Sequence, residues 1–244
     1  MLTEPAQLSS YDRETSLLLT DQEPFLHAAH AESIPFVMYL HEDSQSFHFP
    51  YAAYAVTSLI ELPMSYLQHV YERFFQIPWQ IVQTERCLLR EMTPDDVDAL
   101  YEIYQDKSIS RYMEDLYEDR ELELEYMQSY IENMYGFYGF GMWMVERLSD
   151  GKPLGRAGLN IREGYADPEL GYVIRTDEQR KGYGFEICRA IIDYARDELD
   201  AKALNAFIHP ENTASIRLCT KLGFKHIGSA DIAGELLDRC YLAL

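Results

Sequence analysis

The spacing of apolar residues predicts a strand followed by a long helix in the second half of the chain. Residues 170–174 form a short apolar run that is typical of a buried strand. Apolar positions three and four residues apart then predict a helix that begins near Gly182 and ends around Asp200. Its buried stripe is expected to consist of Phe185, Cys188, Ile191, Ile192, Ala195 and Leu199.

A second strand and a second helix follow in the same pattern. The apolar run 203–208 predicts the strand, and the helix is predicted to begin near Asn212 and to end at Leu222, before Gly223. The resulting order of strand, glycine-rich turn, helix, strand and helix indicates an α/β fold.

The turn between the first strand and the first helix has the sequence Gln179-Arg180-Lys181-Gly182-Tyr183-Gly184. Glycine has no Cβ, so the backbone can approach a ligand closely here, and the helix that follows presents unpaired N–H groups to an anion. Arg180 and Lys181 add two cations. The turn therefore predicts a phosphate-binding loop, with a ligand-free strand-to-helix turn as the alternative.

Two familiar nucleotide-binding motifs do not fit this turn. The chain contains no GxxxxGK[ST] sequence. The dinucleotide fingerprint lacks its third glycine and the acidic residue expected after the next strand. A different phosphate ligand is indicated.

Several motifs together resemble the GNAT superfamily of N-acetyltransferases, nearest the branch that acetylates ribosomal protein N-termini. The turn at 179–184 resembles that family's Q/R-x-x-G-x-G/A acyl-CoA pyrophosphate loop, and the stretch 212–224 resembles its second motif. Residues 85–90, 139–143 and 154–159 resemble the family's first strand and the two strands before the CoA-binding strand. The resemblance implies a mixed, mostly antiparallel sheet flanked by helices.

The resemblance also implies acetyl-CoA as co-substrate, bound without a metal. Tyr172, Val173 and Ile174 would offer backbone groups to the pantetheine arm. Asn212 and the six loop residues would complete the binding site. Those loop residues are Gln179, Arg180, Lys181, Gly182, Tyr183 and Gly184.

Amide formation requires the acceptor amine to lose a proton. For an alkyl amine with a pKa near 10.4, this costs roughly 4–5 kcal/mol at pH 7, so a general base is expected to matter more than a general acid. The resemblance places a carboxylate at the start of the CoA-binding strand, where this chain has Glu169. Asp167 is the alternative base, and a solvated strand cap is the non-catalytic interpretation of Glu169.

Asn212, Ser215 and Cys219 share one face of the second helix, because they stand at i, i+3 and i+7. Asn212 is a good N-cap as well as a candidate CoA contact. The resemblance places Ser215 near the thioester sulfur and expects a tyrosine proton donor where this chain has Cys219. An ordinary thiol pKa of about 8.5 would suit Cys219 for this role. A buried structural cysteine is the alternative.

Composition favours a soluble cytoplasmic protein. The net charge of −20 argues against nucleic-acid binding, because phosphate neutralisation needs a basic face. The four cysteines have no paired spacing and are expected to be reduced thiols. No apolar run approaches the ~18 residues of a membrane helix, and the N-terminus lacks the basic start of a signal peptide.

Residues 1–80 are predicted to form a small α/β domain that precedes an acetyltransferase domain at 81–244. The first part contains no lysine. Its apolar pattern predicts one βαβ unit and a terminal helix. The predicted elements are a strand at 17–19, a helix at 23–32, a strand at 35–40 and a helix at 65–75.

This N-terminal part weakly resembles the closing section of a haloacid-dehalogenase-type hydrolase. The Asp-x-Asp nucleophile motif of such enzymes is missing, and Asp21 has no second carboxylate at metal-ligand spacing. A relic scaffold without phosphatase activity is therefore expected.

The acceptor site is expected in helices predicted at 94–104 and 120–135, together with the final hairpin. An acidic run at 114–125 and an aromatic cluster could contact a cationic acceptor. A solvated helix face and a hydrophobic core are the alternative interpretations of these two features. The aromatic residues are Tyr135, Phe137, Tyr138, Phe140 and Trp143.

The sequence therefore predicts an enzyme that transfers the acetyl group of acetyl-CoA to a primary amine, on a small molecule or a protein N-terminus. The attack on the thioester is expected to be direct, and a homodimer is compatible with the sequence. A non-catalytic acyl-CoA-binding or interaction module is the alternative, which the missing tyrosine at position 219 favours.

Overall fold

The computed structural model describes residues 2–42, 54–60 and 62–244. It divides the chain into two compact units, Met1–Trp79 and Gln80–Leu244. Each unit buries its own cluster of apolar side chains.

The N-terminal unit is built around parallel strands in the order β1 (Leu18–Thr20), β2 (Phe36–Tyr39) and β3 (Ala55–Val56). Helix α1 (Glu23–Ala31) connects β1 to β2, and helix α2 (Met64–Phe74) follows β3. The predicted strand–helix–strand unit is therefore confirmed. The first strand is less buried than its three leucines suggest, because the Leu19 side chain is 37% exposed.

The C-terminal unit contains an eight-stranded sheet in the order β10-β11-β9-β8-β7-β6-β5-β4. Its first four strands are β4 (Gln80–Gln83), β5 (Cys87–Arg90), β6 (Met142–Arg147) and β7 (Pro153–Asn160). The others are β8 (Glu169–Ile174), β9 (Ala203–Ile208), β10 (Lys225–Ile232) and β11 (Glu235–Ala243). Within this eight-stranded sheet, only β8 and β9 pair in parallel. The mixed, mostly antiparallel sheet that the resemblance implied is confirmed.

Four α-helices cover the two faces of this sheet. They are α3 (Val97–Tyr104), α4 (Arg120–Tyr130), α5 (Tyr183–Asp197) and α6 (Thr213–Leu222). One buried cluster joins α5 and α6 to the sheet, and a second joins α3 and α4 to it. Successive side chains of a strand point to opposite faces, so Leu170 and Ile174 of β8 belong to the first cluster and Val173 to the second. These sides are called the α5/α6 face and the α3/α4 face.

Strands β8 and β9 separate soon after they meet. Their only registered pair is Glu169 with Asn205, where the backbone N–H of Asn205 donates to the carbonyl of Pro168 at 2.8 Å. On its other side, β8 stays in register with β7 from Glu169 to Ile174. The sheet is therefore continuous up to β8 and opens into a cleft between β8 and β9.

The predicted helix at 120–135 changes its winding partway along. The α-helix ends at Tyr130 and continues as a π-helix over Ile131–Tyr138, which Gly139 ends with a φ of 74°. The wider turn brings the rings of Tyr130 and Tyr135 edge to face at 5.6 Å. Both hydroxyl groups bond the backbone of Met142 at the start of β6.

The predicted stripe of α5 is largely correct. Cys188, Ile191, Ile192 and Ala195 are buried. Phe185 is only partly buried and carries the ammonium group of Lys221 over its ring at 4.2 Å. The positions that the pattern missed are Tyr183 and Ile187, which are both buried.

The four cysteines Cys87, Cys188, Cys219 and Cys240 are all buried and free, as expected of reduced thiols. Among the residues that the structure describes, no helix combines the length and apolarity needed to cross a membrane.

A close backbone approach at Gly158 of β7 provides a test of this packing. An added Cβ would lie 2.0 Å from the carbonyl oxygen of Gly141, whereas at Gly136 the nearest atom would be 3.9 Å away. We expect Gly158→Ala to lower the free energy of unfolding by about 2 kcal/mol or more in urea denaturation. The control Gly136→Ala should change it by less than about 1 kcal/mol. Equal urea midpoints for the two variants would contradict the packing described here.

Candidate active site

The predicted phosphate loop lies between β8 and α5. The side-chain amide of Gln179 donates to the carbonyl of Ile174 at 2.9 Å and so holds the start of the loop against the end of the strand. Arg180 and Gly182 both have left-handed backbone conformations, with φ of 61° and 89°. Gly182 is the N-cap of α5, so the first backbone N–H groups of this 15-residue helix face the loop.

A carboxylate of α5 anchors the loop from behind. Glu186 accepts hydrogen bonds from the Thr84 hydroxyl at 2.7 Å and from Nε of Arg86 at 2.6 Å. Arg86 also donates to the carbonyl of Lys181 at 3.0 Å and lies over the Tyr183 ring at 4.4 Å. Because the Tyr183 ring is buried beneath Arg86, this residue can meet a ligand only through its backbone.

The two cations of the loop are not equivalent. The Lys181 ammonium group pairs with the buried carboxylate of Glu178 at 2.8 Å, which also binds Lys152 at 2.9 Å. Hydrogen bonds from these two lysines lower the pKa of Glu178 to about 2. Arg180 is exposed and has no ion-pair partner among the residues that the structure describes. Arg180 is therefore the cation that remains available to an anionic ligand.

On the α5/α6 face, the side chain of Tyr172 extends across the cleft to α6. Its hydroxyl lies 2.9 Å from Oγ of Ser215, with either group able to donate. A Cβ on Gly184 would lie 3.7 Å from the Tyr172 ring, so this ring lies directly beside the start of α5. Burial raises the pKa of Tyr172, which keeps its hydroxyl protonated at neutral pH. Sequence reasoning assigned Tyr172 a backbone role and missed this hydroxyl contact.

Asn212 caps α6 as predicted, because its Oδ1 accepts a hydrogen bond from the backbone N–H of Ser215 at 3.2 Å. Cys219 lies one helical turn further along and is 3% exposed. Burial raises the pKa of Cys219 to about 12. The ordinary thiol pKa of about 8.5 that the sequence suggested for Cys219 is therefore wrong, because the thiol is buried.

Glu169 occupies the opposite, α3/α4 face of the sheet, three residues before Tyr172 along β8. Its carboxylate is buried and pairs with Arg162 at 2.6 Å. Burial raises the pKa of Glu169, although Arg162 and the backbone of Phe207 oppose the shift. A carboxylate with a raised pKa is a stronger base than an exposed one.

The alternative base, Asp167, contributes its backbone instead. The Asp167 carbonyl accepts a hydrogen bond from Nδ2 of the fully buried Asn205 at 2.9 Å. Arg239 donates to Oδ1 of the same Asn205 at 2.9 Å. These bonds hold the β7–β8 connection, and with it Arg162, beside Glu169. The antiparallel register of Asn160 with Glu169 is the signal that could have revealed Arg162, because Arg162 follows Asn160 by two residues.

The acidic run contributes one buried carboxylate. Glu123 is 2% exposed and accepts the backbone N–H of Tyr117 at 3.0 Å. Asp119 caps α4 by accepting from the backbone N–H of Glu121 at 2.9 Å. Glu114, Glu118, Glu121 and Glu125 are exposed.

The predicted aromatic cluster likewise contains both buried and exposed residues. Trp143 and Tyr135 are buried core residues, whereas Phe137 is 80% exposed and Tyr138 is 47% exposed. Phe140 is partly buried and packs against the α5/α6 core.

Three loops meet beside the end of β9, at the edge of the cleft. The His209 ring lies 4.9 Å from that of Tyr112 in the α3–α4 connection. Nε2 of His209 is 3.7 Å from the carboxylate of Glu235 in the final hairpin. Arg111 pairs with Glu211 at 3.3 Å. These contacts bring the final hairpin, one of the predicted acceptor elements, next to the connection between the other two, the helices predicted at 94–104 and 120–135.

The described residues contain no group of three or more histidine, cysteine or carboxylate side chains placed to hold a metal ion. The candidate site consists of the predicted phosphate loop at 179–184, called the anion loop, together with the cleft and side chains on both of its faces. On the α5/α6 face are Tyr172, Ser215 and Cys219, and on the α3/α4 face is Glu169.

Comparison with solved structures shows the same fold in acetyltransferases. An acetyltransferase of the GNAT family from Bacillus anthracis is 24% identical, with a TM-score of 0.55 over 67% of this chain and 96% of that chain. RimL, a ribosomal L7/L12 α-N-protein acetyltransferase in complex with coenzyme A, is 14% identical, with a TM-score of 0.58 over 68% of this chain and 98% of that chain.

Sequence comparison gives the same result. The uncharacterized N-acetyltransferase YoaA of Bacillus subtilis (strain 168) is 26% identical over 151 residues, which is 61% of this chain and 84% of that protein. The family model of the acetyltransferase (GNAT) domain matches residues 86–225. Because that match spans more than half of the chain, the protein belongs to the GNAT family of acetyltransferases.

Proposed function

We propose that this protein transfers the acetyl group of acetyl-CoA to a primary amine. The observation that supports this most is the cleft between β8 and β9, which has the anion loop at one end and polar side chains on both faces. When bound, acetyl-CoA supplies a thioester whose carbonyl carbon an amine can attack. The N–C bond then forms as the C–S bond breaks.

The loop fits a pyrophosphate group. Gly182 and Gly184 leave the backbone accessible, and the start of α5 offers N–H donors together with the positive end of the helix dipole. Gln179 and Arg180 are exposed on the same loop. We place the pantetheine arm along β8 at 172–174, where β9 no longer pairs with it. Asn212 lies at the far side of this groove.

Glu169 takes the proton of the attacking amine, directly or through a water molecule. Its raised pKa reduces the mismatch with an amine whose ordinary pKa is about 10.4. Arg162 holds the carboxylate in place at 2.6 Å. A base on the α3/α4 face would take the proton of an amine that approaches between α3, α4 and the final hairpin.

Ser215 delivers a proton to the departing sulfur as Tyr172 passes its own hydroxyl proton to Ser215, and water then returns a proton to Tyr172, which balances the proton that Glu169 releases to solvent. The distance of 2.9 Å between the two hydroxyl oxygens suits this relay. In this scheme, Tyr172 of β8 supplies the phenol that the family resemblance expected from α6, and Cys219 contributes packing.

The net charge of −20 favours the approach of a protonated amine through long-range attraction. Four free thiols agree with a reaction in the cytoplasm. The homodimer, the domain boundary near residue 80 and the hydrolase resemblance of the first unit stay predictions.

Thiol release from acetyl-CoA in the presence of a panel of amines and peptide N-termini tests the proposal. Amine-dependent release supports acetyl transfer. CoA binding without release for any amine would favour the non-catalytic acyl-CoA-binding module instead. Absence of CoA binding at millimolar concentration in calorimetry would exclude both functions.

The two loop cations give a matched pair of variants. We expect Arg180→Gln to weaken CoA binding about tenfold, or roughly 1.4 kcal/mol, because a charged hydrogen bond to phosphate is lost. Lys181→Gln should change the affinity by less than about twofold, since Glu178 already pairs with Lys181. Calorimetric titration with CoA measures both. Equal losses of CoA affinity in the two variants would show that the ion pair with Glu178 does not keep Lys181 from contacting CoA.

The role of Glu169 predicts a specific pH dependence of turnover. A base acts in its unprotonated form, so activity should fall as the pH drops through the raised pKa of Glu169. Arg162→Met removes a cation that lowers this pKa, and the acidic limb should therefore move to higher pH. Glu169→Gln should lower turnover by about 10²-fold or more and abolish the limb.

Asp167→Asn is the control for this experiment, because the contact that the structure gives Asp167 comes from its backbone carbonyl. Its pH profile should match that of the unmodified protein. If Glu169→Gln kept the original acidic limb, the proton would have to be taken by another group.

The proton relay limits the loss of turnover expected from substitutions on the α5/α6 face. Proton delivery to a thiolate with a pKa of about 8.5 involves roughly 2 kcal/mol at pH 7, so no loss should exceed about 30-fold. We expect Ser215→Ala and Tyr172→Phe to lower kcat about tenfold with little change in KM for acetyl-CoA. Cys219→Ala should also cost less than about 30-fold. Ping-pong kinetics, or an acetyl group trapped on Cys219 in mass spectrometry, would overturn this arrangement.

A further inference from the structure

Arg156 is a partly buried cation on the α3/α4 face that has no carboxylate partner. It lies on β7, in register with Val173 of β8. Its Nε donates to the hydroxyl of Tyr104 at 2.9 Å, and its guanidinium carbon is 5.2 Å from the centre of that ring. The bond and the ring together hold the guanidinium in a defined orientation.

The absence of a carboxylate partner is unusual in this chain, which has 41 acidic and 21 basic residues. Partly buried arginines elsewhere on this unit pair with carboxylates, as Arg90 does with Asp96 at 2.7 Å and Arg175 with Asp177 at 2.6 Å. Arg156 has no carboxylate oxygen within 4.0 Å among the described residues, and only its Nε makes a hydrogen bond. The four N–H donors of its terminal nitrogens are therefore unused, in the planar arrangement that matches a carboxylate or phosphate.

Arg239 is the other partly buried arginine of this unit without a carboxylate. Its Nε bonds Asn205, and its guanidinium lies 4.7 Å from the centre of the Tyr165 ring. Arg239 thus supports the junction of β8 and β9. Arg156 instead lies beside the two helices that flank the acceptor side, close enough to affect the pKa of Tyr104 in α3 and of Tyr126 in α4.

Acidic groups do lie in the same region. Glu114 and Glu123 also act on the pKa of Tyr126. Glu123 is held by the backbone N–H of Tyr117, and its second oxygen has no hydrogen-bond partner among the described residues. Neither carboxylate comes within ion-pair distance of Arg156, so the guanidinium keeps its donors free.

We propose that Arg156 binds an anionic group, a carboxylate or a phosphate, on the acceptor molecule. This inference rests on the proposed acetyl transfer. Arg156 is level with Val173, four residues along β8 from Glu169, which is a distance of about 13 Å. The anion is thus set back from the reacting amine by more than the length of a single amino acid. A peptide N-terminus with an acidic residue at the third or fourth position meets this requirement.

Tetrapeptides with a free N-terminus and an amidated C-terminus test this proposal. Each carries one glutamate at the second, third or fourth position and is compared with its glutamine counterpart. For the unmodified protein, we expect kcat/KM in thiol release to favour glutamate at least tenfold at the third or fourth position. Arg156→Gln should abolish the preference, and Arg156→Lys should keep part of it because the charge remains.

Arg196→Gln is the matched control, since Arg196 is exposed on α5 and its loss changes the net charge equally. It should keep the preference for glutamate. Acetylation of glutamate and glutamine peptides with equal kcat/KM would overturn the anion site while leaving acetyl transfer intact. So would a preference that survived Arg156→Gln.

If no peptide is acetylated, calorimetry of the same peptides with the CoA-saturated protein decides the question. Tighter binding of glutamate peptides that is lost in Arg156→Gln supports the anion site even if acetyl transfer fails. Equal binding, or no binding, overturns it. A loss of stability in Arg156→Gln with unchanged peptide discrimination would overturn the anion site and assign Arg156 to its contact with Tyr104 alone.

Discussion

The separation of β8 from β9 is the constraint on which the rest of the site depends. Parallel strands normally continue to exchange hydrogen bonds, but here the register ends after Glu169 and Asn205. Asn205 is fully buried and has its amide satisfied by the Asp167 carbonyl and by Arg239. This closed set of bonds fixes the point where the strands separate. Beyond it, β8 has unpaired backbone groups on one side, and side chains from both faces of the sheet border the opening.

Two carboxylates, the partly buried Glu186 and the buried Glu178, anchor the predicted phosphate loop. Glu186 holds the loop through Arg86, and Glu178 holds it through Lys181. Burying a carboxylate costs several kcal/mol unless cations and N–H donors surround it, so the buried Glu178 requires its lysine partners in place. These ion pairs and hydrogen bonds hold the loop in place, while Arg180 stays exposed. In the proposed binding of the CoA pyrophosphate, a loop held in this way would lose less conformational entropy.

In the proposed reaction, the two proton transfers take place on opposite faces of one strand. Glu169 and Tyr172 are three residues apart on β8, and the alternation of a strand directs them to opposite sides. Burial raises the pKa of both groups, with different consequences. For Glu169 a higher pKa means a stronger base, whereas for Tyr172 it means a hydroxyl that stays protonated. One strand can thus serve both the attacking and the departing group.

The sequence by itself determined the order of elements, the glycine loop before α5 and the Asn212 cap, because these follow from local periodicity, turn chemistry and capping, and its resemblance to a known family implied the mixed sheet. It also located Glu169 and Ser215 as candidates. Only the tertiary structure showed that Arg162 pairs with Glu169, that Tyr172 contacts Ser215 from another element, and that Glu178 pairs with Lys181. Burial likewise decided the acidity of Cys219. These properties arise between residues distant in sequence or from exclusion of water, and no local pattern of side chains encodes either.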